Sequence, residues 1–282
     1  MMRRALLLTL ATLAACTDRD EFDGTVELFF RPVVSGAYFN CNEMYPGAGA
    51  AMKPQDFRMY VTDVRLVTDE GSEHAVELAE DGQFQARGVA LLDFEDATGE
   101  CRGTPALNKT IRGKLSAADQ AEHARYTGLR FRIGVPPELD FADPATLPTP
   151  LAEPTLRSAV TGGHLFFTAW ANFESFTPDT QAFSGVGLDL ASDGCLGATC
   201  QRSNRPEVVL DNFDLESSTI VVDYNALFAK LDTTVCGTNP VAPCGCWSRQ
   251  VDSLCLQVLP RLGVDWASGA STAGQVLFRV DG

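Results

Sequence analysis

Cysteine placement constrains this chain more than any other feature. Nine cysteines occur in 282 residues. One, Cys16, stands directly behind an apolar run, and eight others follow: Cys41, Cys101, Cys195, Cys200, Cys236, Cys244, Cys246 and Cys255. In a chain that leaves the cytoplasm, an even set reads as disulfides, which brace loops and restrict how the strands between them can be arranged. The competing reading, a zinc–thiolate site, is disfavoured. Cys244 and Cys246 are separated by a single residue, and the sequence contains no C-x-x-C pair. We pair Cys41 with Cys101 and Cys195 with Cys200, leaving Cys236, Cys244, Cys246 and Cys255 to pair among themselves.

The export expectation comes from the first fifteen residues. Arg3 and Arg4 precede an apolar run over 5–13 and the small pair Ala14 and Ala15, the pattern of a cleaved signal too short to span a bilayer. The "LAAC" at 13–16 looks like a bacterial lipobox, which makes Cys16 the expected lipid anchor on the periplasmic or cell-surface face of a membrane. Acyl chains contribute about 0.8 kcal/mol per buried methylene, so a multiply acylated Cys16 would hold the protein there. The alternative is an ordinary secreted chain with a spare cysteine. Residues 16–23 read as an acidic tether and 24–282 as one domain. Loss of residues 1–15 takes the formal charge from −15 to −17, since that stretch holds two arginines and no acids. So acidic a chain lacks the basic face that nucleic-acid recognition needs.

Strand periodicity dominates the remainder. "GTVELFFRPVV" sets Val26, Leu28 and Phe30 against Glu27 and Arg31. In "DFRMYVTDVRLV", Phe57, Met59 and Val61 share a face, and Val64 and Leu66 resume one position out of step, which predicts a bulge. "GLRFRIGV", "EVVL", "STIVVDY" and "GQVLFRV" complete the clear set. Helical signals are short: a capped run from Ser116 to about Tyr126, "YNALFAKLD", and "RQVDSLCLQVL" ending at Pro260. The expected fold is a mainly β, antiparallel β-sandwich with a few short peripheral helices and disulfide-braced loops.

Catalytic constellations are missing. No G-x-S-x-G elbow occurs, and the histidines are His74, in an expected hairpin turn, His123, on the capped run, and His164. Phosphate-binding loops lack their lysine, and the acidic stretches "LDFEDATGE" and "GLDLASDG" match no EF-hand. The chain is therefore not expected to be an enzyme. The centre of interest is "GGHLFFTAW", which places His164 and Trp170 an even number of residues apart on one expected strand. At roughly 3.3 Å per residue they would lie about 20 Å apart, too far for one metal unless the stretch bends.

The segments "DFRMYVTDVRLV", "GLRFRIGVP", "DPATLPTPL", "NRPEVVLDNFD", "VVDYNALFA" and "GCWSRQVDSLC" occur in an order that resembles the MbnP family, the metallo-mystery pair four-Cys motif proteins. That resemblance implies an exported, copper-associated protein encoded beside a di-haem cytochrome c peroxidase-like partner. It also implies a tryptophan that the partner oxidises to kynurenine. By it, Trp170 is the candidate kynurenine, His164 a candidate copper ligand, and copper the cofactor. The departures are specific. The family's central W-x-W reads here Thr168-Ala169-Trp170, its "LNH" reads Leu139-Asp140-Phe141, and its "HLGS" segment reads "GLDLASDGC". The loss of these imidazoles supports an alternative, a metal-free structural or interaction lipoprotein.

Overall fold

The computed structural model describes residues 22–46, 50–120, 125–159, 161–175, 185–232, 235, 244–249 and 252–281. Cys16, the leader 1–15, most of the tether, His123 and Cys236 lie outside the described residues.

Two sheets face one another. The first runs in the order Phe278–Asp281, Thr219–Asp223, Thr25–Val34, Thr110–Lys114, Glu77–Leu78. The second runs Glu207–Asp211, Tyr126–Ile133, Ala50–Thr68, Phe167–Ser175, Val186–Leu190, Cys244–Cys246. Val26, Leu28 and Phe30 point inward from the first sheet, as their alternation predicts. Phe30 meets Phe131 of the second sheet at 5.9 Å between ring centroids, and Phe131 meets Phe278 at 5.2 Å. These edge-on contacts suit the charge distribution of aromatic rings, and each fully buried side chain contributes about 1.5–3 kcal/mol. The chain is a mainly β, sandwich-like fold.

Ala50–Thr68 is the backbone of the second sheet, pairing with Tyr126–Ile133 on one side and Phe167–Ser175 on the other. The predicted bulge is present. Arg130 pairs with Arg65 and Arg132 with Thr62, so the long strand carries one extra residue there, and Asp63 takes a φ of 54°. An aspartate tolerates that left-handed conformation better than the branched residues around it. A second irregularity was not legible: Trp170 pairs with Asp56 and Ala171 with Pro54, leaving Gln55 as the extra residue beside Trp170.

Two strand pairs are parallel where antiparallel pairing was expected. Thr25–Val34 runs parallel to Thr219–Asp223, and Val186–Leu190 runs parallel to Cys244–Cys246. Long intervening chain makes both crossovers possible.

The helices are shorter than expected. Asn225–Phe228 is one turn, and Lys230 beyond it has a φ of 58°. Cys255–Val258 continues as a 3-10 turn, Leu259–Leu262, that includes Pro260 instead of stopping before it, because proline is tolerated in a first turn. Ser116 and Asp119 close a turn, and Tyr126 already begins a strand. His74 lies in the strand Glu73–Ala75.

Three disulfides are described: Cys41–Cys101, Cys195–Cys200 and Cys246–Cys255. Cys244 is also disulfide-bonded. The first ties the loop after the short strand Ala37–Tyr38 to the loop after Val89–Asp93; the last fixes the segment beyond Cys244–Cys246.

Candidate functional site

Trp170 sits mid-strand, half-buried, between the long strand and Val186–Leu190. Two features hold its indole. Its Nε1–H donates to Asp189 Oδ1 at 2.8 Å, and the Thr168 hydroxyl, two residues away on the same face, donates to that oxygen at 3.0 Å. The ring lies over Gly187, its cross-strand partner, where a Cβ would fall 2.1 Å from Trp170 Cδ2. The backbone carbonyl of Trp170 accepts a hydrogen bond from the buried Tyr224 hydroxyl.

Trp247 completes an aromatic pair. Its ring centroid is 6.1 Å from that of Trp170, tilted by 45°. Gly245, aligned with Gly187 across the parallel ladder, leaves room for Trp247 as Gly187 does for Trp170. Asp252 accepts from the Trp247 backbone N–H at 3.0 Å, and Ser248 Oγ donates to the Asp189 carbonyl at 2.9 Å, which docks this segment on the strand carrying Asp189. The Arg249 guanidinium lies 5.7 Å from the Trp247 ring centroid and also pairs with Asp252. A cleft of about 290 Å³ opens at Asp189, Trp247, Arg157 and Arg249. Sequence pattern alone singles out neither Asp189 nor Trp247. The one signal it carries is an acid interrupting the apolar strand "VGLDL".

His164 is elsewhere. The strand that carries Trp170 begins at Phe167, and His164 lies before it, bridging to Arg157. It is fully buried against the edge of Tyr60. Its backbone N–H donates to Asp140 Oδ1 at 2.8 Å. Nδ1 lies 2.8 Å from the Asp140 carbonyl and Nε2 lies 2.9 Å from the Leu151 carbonyl. Arg157 Nη1 approaches both ring nitrogens, at 3.2 and 3.1 Å. The imidazole thus ties three segments together, and both of its nitrogens are engaged. His74 Nδ1 meets the Tyr126 hydroxyl at 2.6 Å and Asp119 at 3.2 Å.

Behind Trp170 lies a buried ionic cluster. Asp56, its cross-strand partner, holds Arg58 through two hydrogen bonds, at 2.8 and 2.6 Å. Asp93 and Glu95 share the same guanidinium's field, Glu95 Oε1 lying 3.7 Å from Arg58 Nε. Burial raises the carboxyls of Asp56, Glu95 and Asp189, and burial with the nearby Glu95 charge pushes Asp93 up to about 8. For Asp189 the hydrogen bonds from Trp170 and Thr168 oppose that rise. Glu95 also closes a triad with Cys41 and Cys101, whose donor atoms lie within 4.8 Å of one another. The two sulfurs are joined in a disulfide, so they are not thiolate ligands.

Among the described residues, the surroundings of His164 and Trp170 do not fit copper. Copper is held by imidazole, thiolate or thioether donors. Among the described residues, His164 has both nitrogens committed, and the Trp170 nitrogen faces a carboxylate. The adjoining cleft is lined by Asp189, Arg157 and Arg249 and offers no imidazole, thiolate or thioether donor.

The family model described as MbnP matches residues 23–247. Among solved structures, MbnP from Methylosinus trichosporium is similar to this chain, with a TM-score of 0.75 and 26% sequence identity over 91% of this chain and 97% of that chain. No curated protein matches the chain.

Proposed function

Because the chain belongs to the MbnP family, we propose that it is an exported MbnP-type lipoprotein in which Trp170 is the residue oxidised by a di-haem cytochrome c peroxidase-like partner. Cys16 carries the lipid that holds it to the membrane, and the protein is the partner's substrate, not an enzyme itself. One observation carries this reading: Trp170 is a half-buried indole whose N–H is held by a carboxylate and whose ring adjoins a second indole at the rim of a cleft. That placement suits removal of electrons from outside the fold. The disulfides agree with an oxidising compartment. Copper has no part in this reading, since the described donors around Trp170 and His164 do not fit it.

The commitment of both His164 nitrogens is equally compatible with a second reading, a metal-free structural or interaction lipoprotein, which differs in leaving the tryptophans unmodified. Mass spectrometry of the Trp170 peptide, from protein produced with and without the di-haem partner, separates the two. Conversion of Trp170 to kynurenine only with the partner supports the proposal. An unmodified Trp170 under both conditions rejects it in favour of the second reading.

A further inference from the structure

The electrostatics of the two indoles differ in a way that gives oxidation a direction. Trp247 lies on the cleft with the Arg249 guanidinium near its ring, and a cation there disfavours a positive hole on that indole. The buried Asp252 carboxylate, which pairs with Arg249 and accepts the Trp247 backbone N–H, offsets that effect, so the direction rests chiefly on the group at the Trp170 nitrogen. Trp170, which does not line that cleft, has a carboxylate on its N–H instead. A hole created on Trp247 therefore runs downhill to Trp170. An indole that has lost one electron is a strong acid at its nitrogen, so the group touching that N–H decides the fate of the radical.

We propose that Asp189 is the proton acceptor for one-electron oxidation of Trp170, and that Trp247 is the outer station through which the electron leaves. This rests on the reading that Trp170 is the oxidised residue. An external one-electron oxidant, such as a haem protein, takes an electron from Trp247, and Trp170 refills that vacancy. The Trp170 Nε1–H bond then breaks, its proton passes 2.8 Å to Asp189 Oδ1, and the products are a neutral indolyl radical and a neutral carboxylic acid. Four more groups bear on Asp189. Thr168 donates to the same oxygen, Asp56 and Arg58 act on it through space with opposite signs, and Arg157 lines the cleft beside it.

The test uses the full chain and a flash-generated ruthenium(III) tris-bipyridyl complex as oxidant, so no haem partner is needed. Transient absorption distinguishes the neutral indolyl radical from the protonated radical cation. Peptide mass spectrometry then locates the stable product. The parent protein is expected to give the neutral radical, with the product on Trp170 and a solvent deuterium isotope effect on radical formation. Asp189→Asn keeps an acceptor oxygen and cannot take the proton, so it should shift the signal to the radical cation. Trp247→Phe should slow Trp170 oxidation at least tenfold. A neutral radical of unchanged yield in Asp189→Asn overturns the role of Asp189. Should that variant not fold, an isotope effect of one in the parent protein does the same. An unchanged rate in Trp247→Phe overturns the relay. Product on another tryptophan, with none on Trp170, overturns the reading of the oxidised residue itself.

Discussion

Gly187 lies beneath the indole of Trp170 so closely that a Cβ would stand 2.1 Å from its Cδ2. Glycine in a strand interior ordinarily weakens the strand, and alanine would be the better residue for the backbone. Here the missing side chain is what allows the ring to lie flat on the ladder. Gly187→Ala is therefore expected to destabilise the protein by about 1–3 kcal/mol through overpacking and to displace the indole from Asp189. Urea denaturation reads the first effect and tryptophan fluorescence the second. A variant as stable as its parent with an unchanged emission spectrum would show that the ring has another place to go.

Asp93 predicts how stability depends on pH. Its carboxyl is pushed up to about 8, so the folded chain keeps a proton that the unfolded chain loses near pH 4. The folded state binds more protons across that window, and stability accordingly falls as the pH rises from about 4 to about 8. Asp93→Asn cannot ionise and still accepts the backbone hydrogen bond from Glu95. Thermal melts near pH 5 and pH 8 should show a smaller fall in Tm for the variant than for the parent, and an equal fall would reject the assignment.

Reducing or deleting the Cys41–Cys101 bridge should be costly. The two cysteines are 60 residues apart in sequence, and a native bridge of this kind contributes about 2–5 kcal/mol. The double substitution Cys41→Ser with Cys101→Ser should lower the urea midpoint accordingly. The bridge packs beside Glu95 and the Arg58 cluster, so the same variant should also alter the pH dependence of melting. Retention of the parental midpoint would mean that packing alone holds these two loops together.

His164→Ala separates a structural histidine from a metal ligand. The substitution leaves the Leu151 carbonyl without its buried partner, at a cost of about 1–3 kcal/mol, while the Asp140 carbonyl keeps only its longer contact from Arg157 Nη1. Denaturation should register that loss. The copper content of purified protein, measured by elemental analysis, should be the same in parent and variant. Stoichiometric copper in the parent that disappears in the variant would restore His164 as a ligand.

Much of the scaffold was legible in the sequence because its signals are local. The alternation of Val26, Leu28 and Phe30 showed which face of the first strand is inward. The phase slip between Val61 and Val64 located the bulge that the structure places at Asp63. Cys195 and Cys200 flank a turn short enough for them to meet. The site was much less legible. His164 and Trp170, close in sequence and singled out together, have separate partners, since the strand begins between them at Phe167. Trp170 instead meets Asp189 and Trp247, one from the neighbouring strand and the other from just beyond the strand after that.

By itself, then, the amino-acid order determined the two-residue period of the strands, the place where that period breaks, and the even set of sulfurs that can brace the loops. These arise from backbone geometry and pairwise chemistry over a few residues. Only the tertiary structure decided that Asp189 takes the indole N–H, that Gly187 and Gly245 come into register to seat two tryptophans, and that both nitrogens of His164 are occupied. Those outcomes depend on which distant strands become neighbours and in what register. Packing of the whole core selects that arrangement, and no local pattern encodes it.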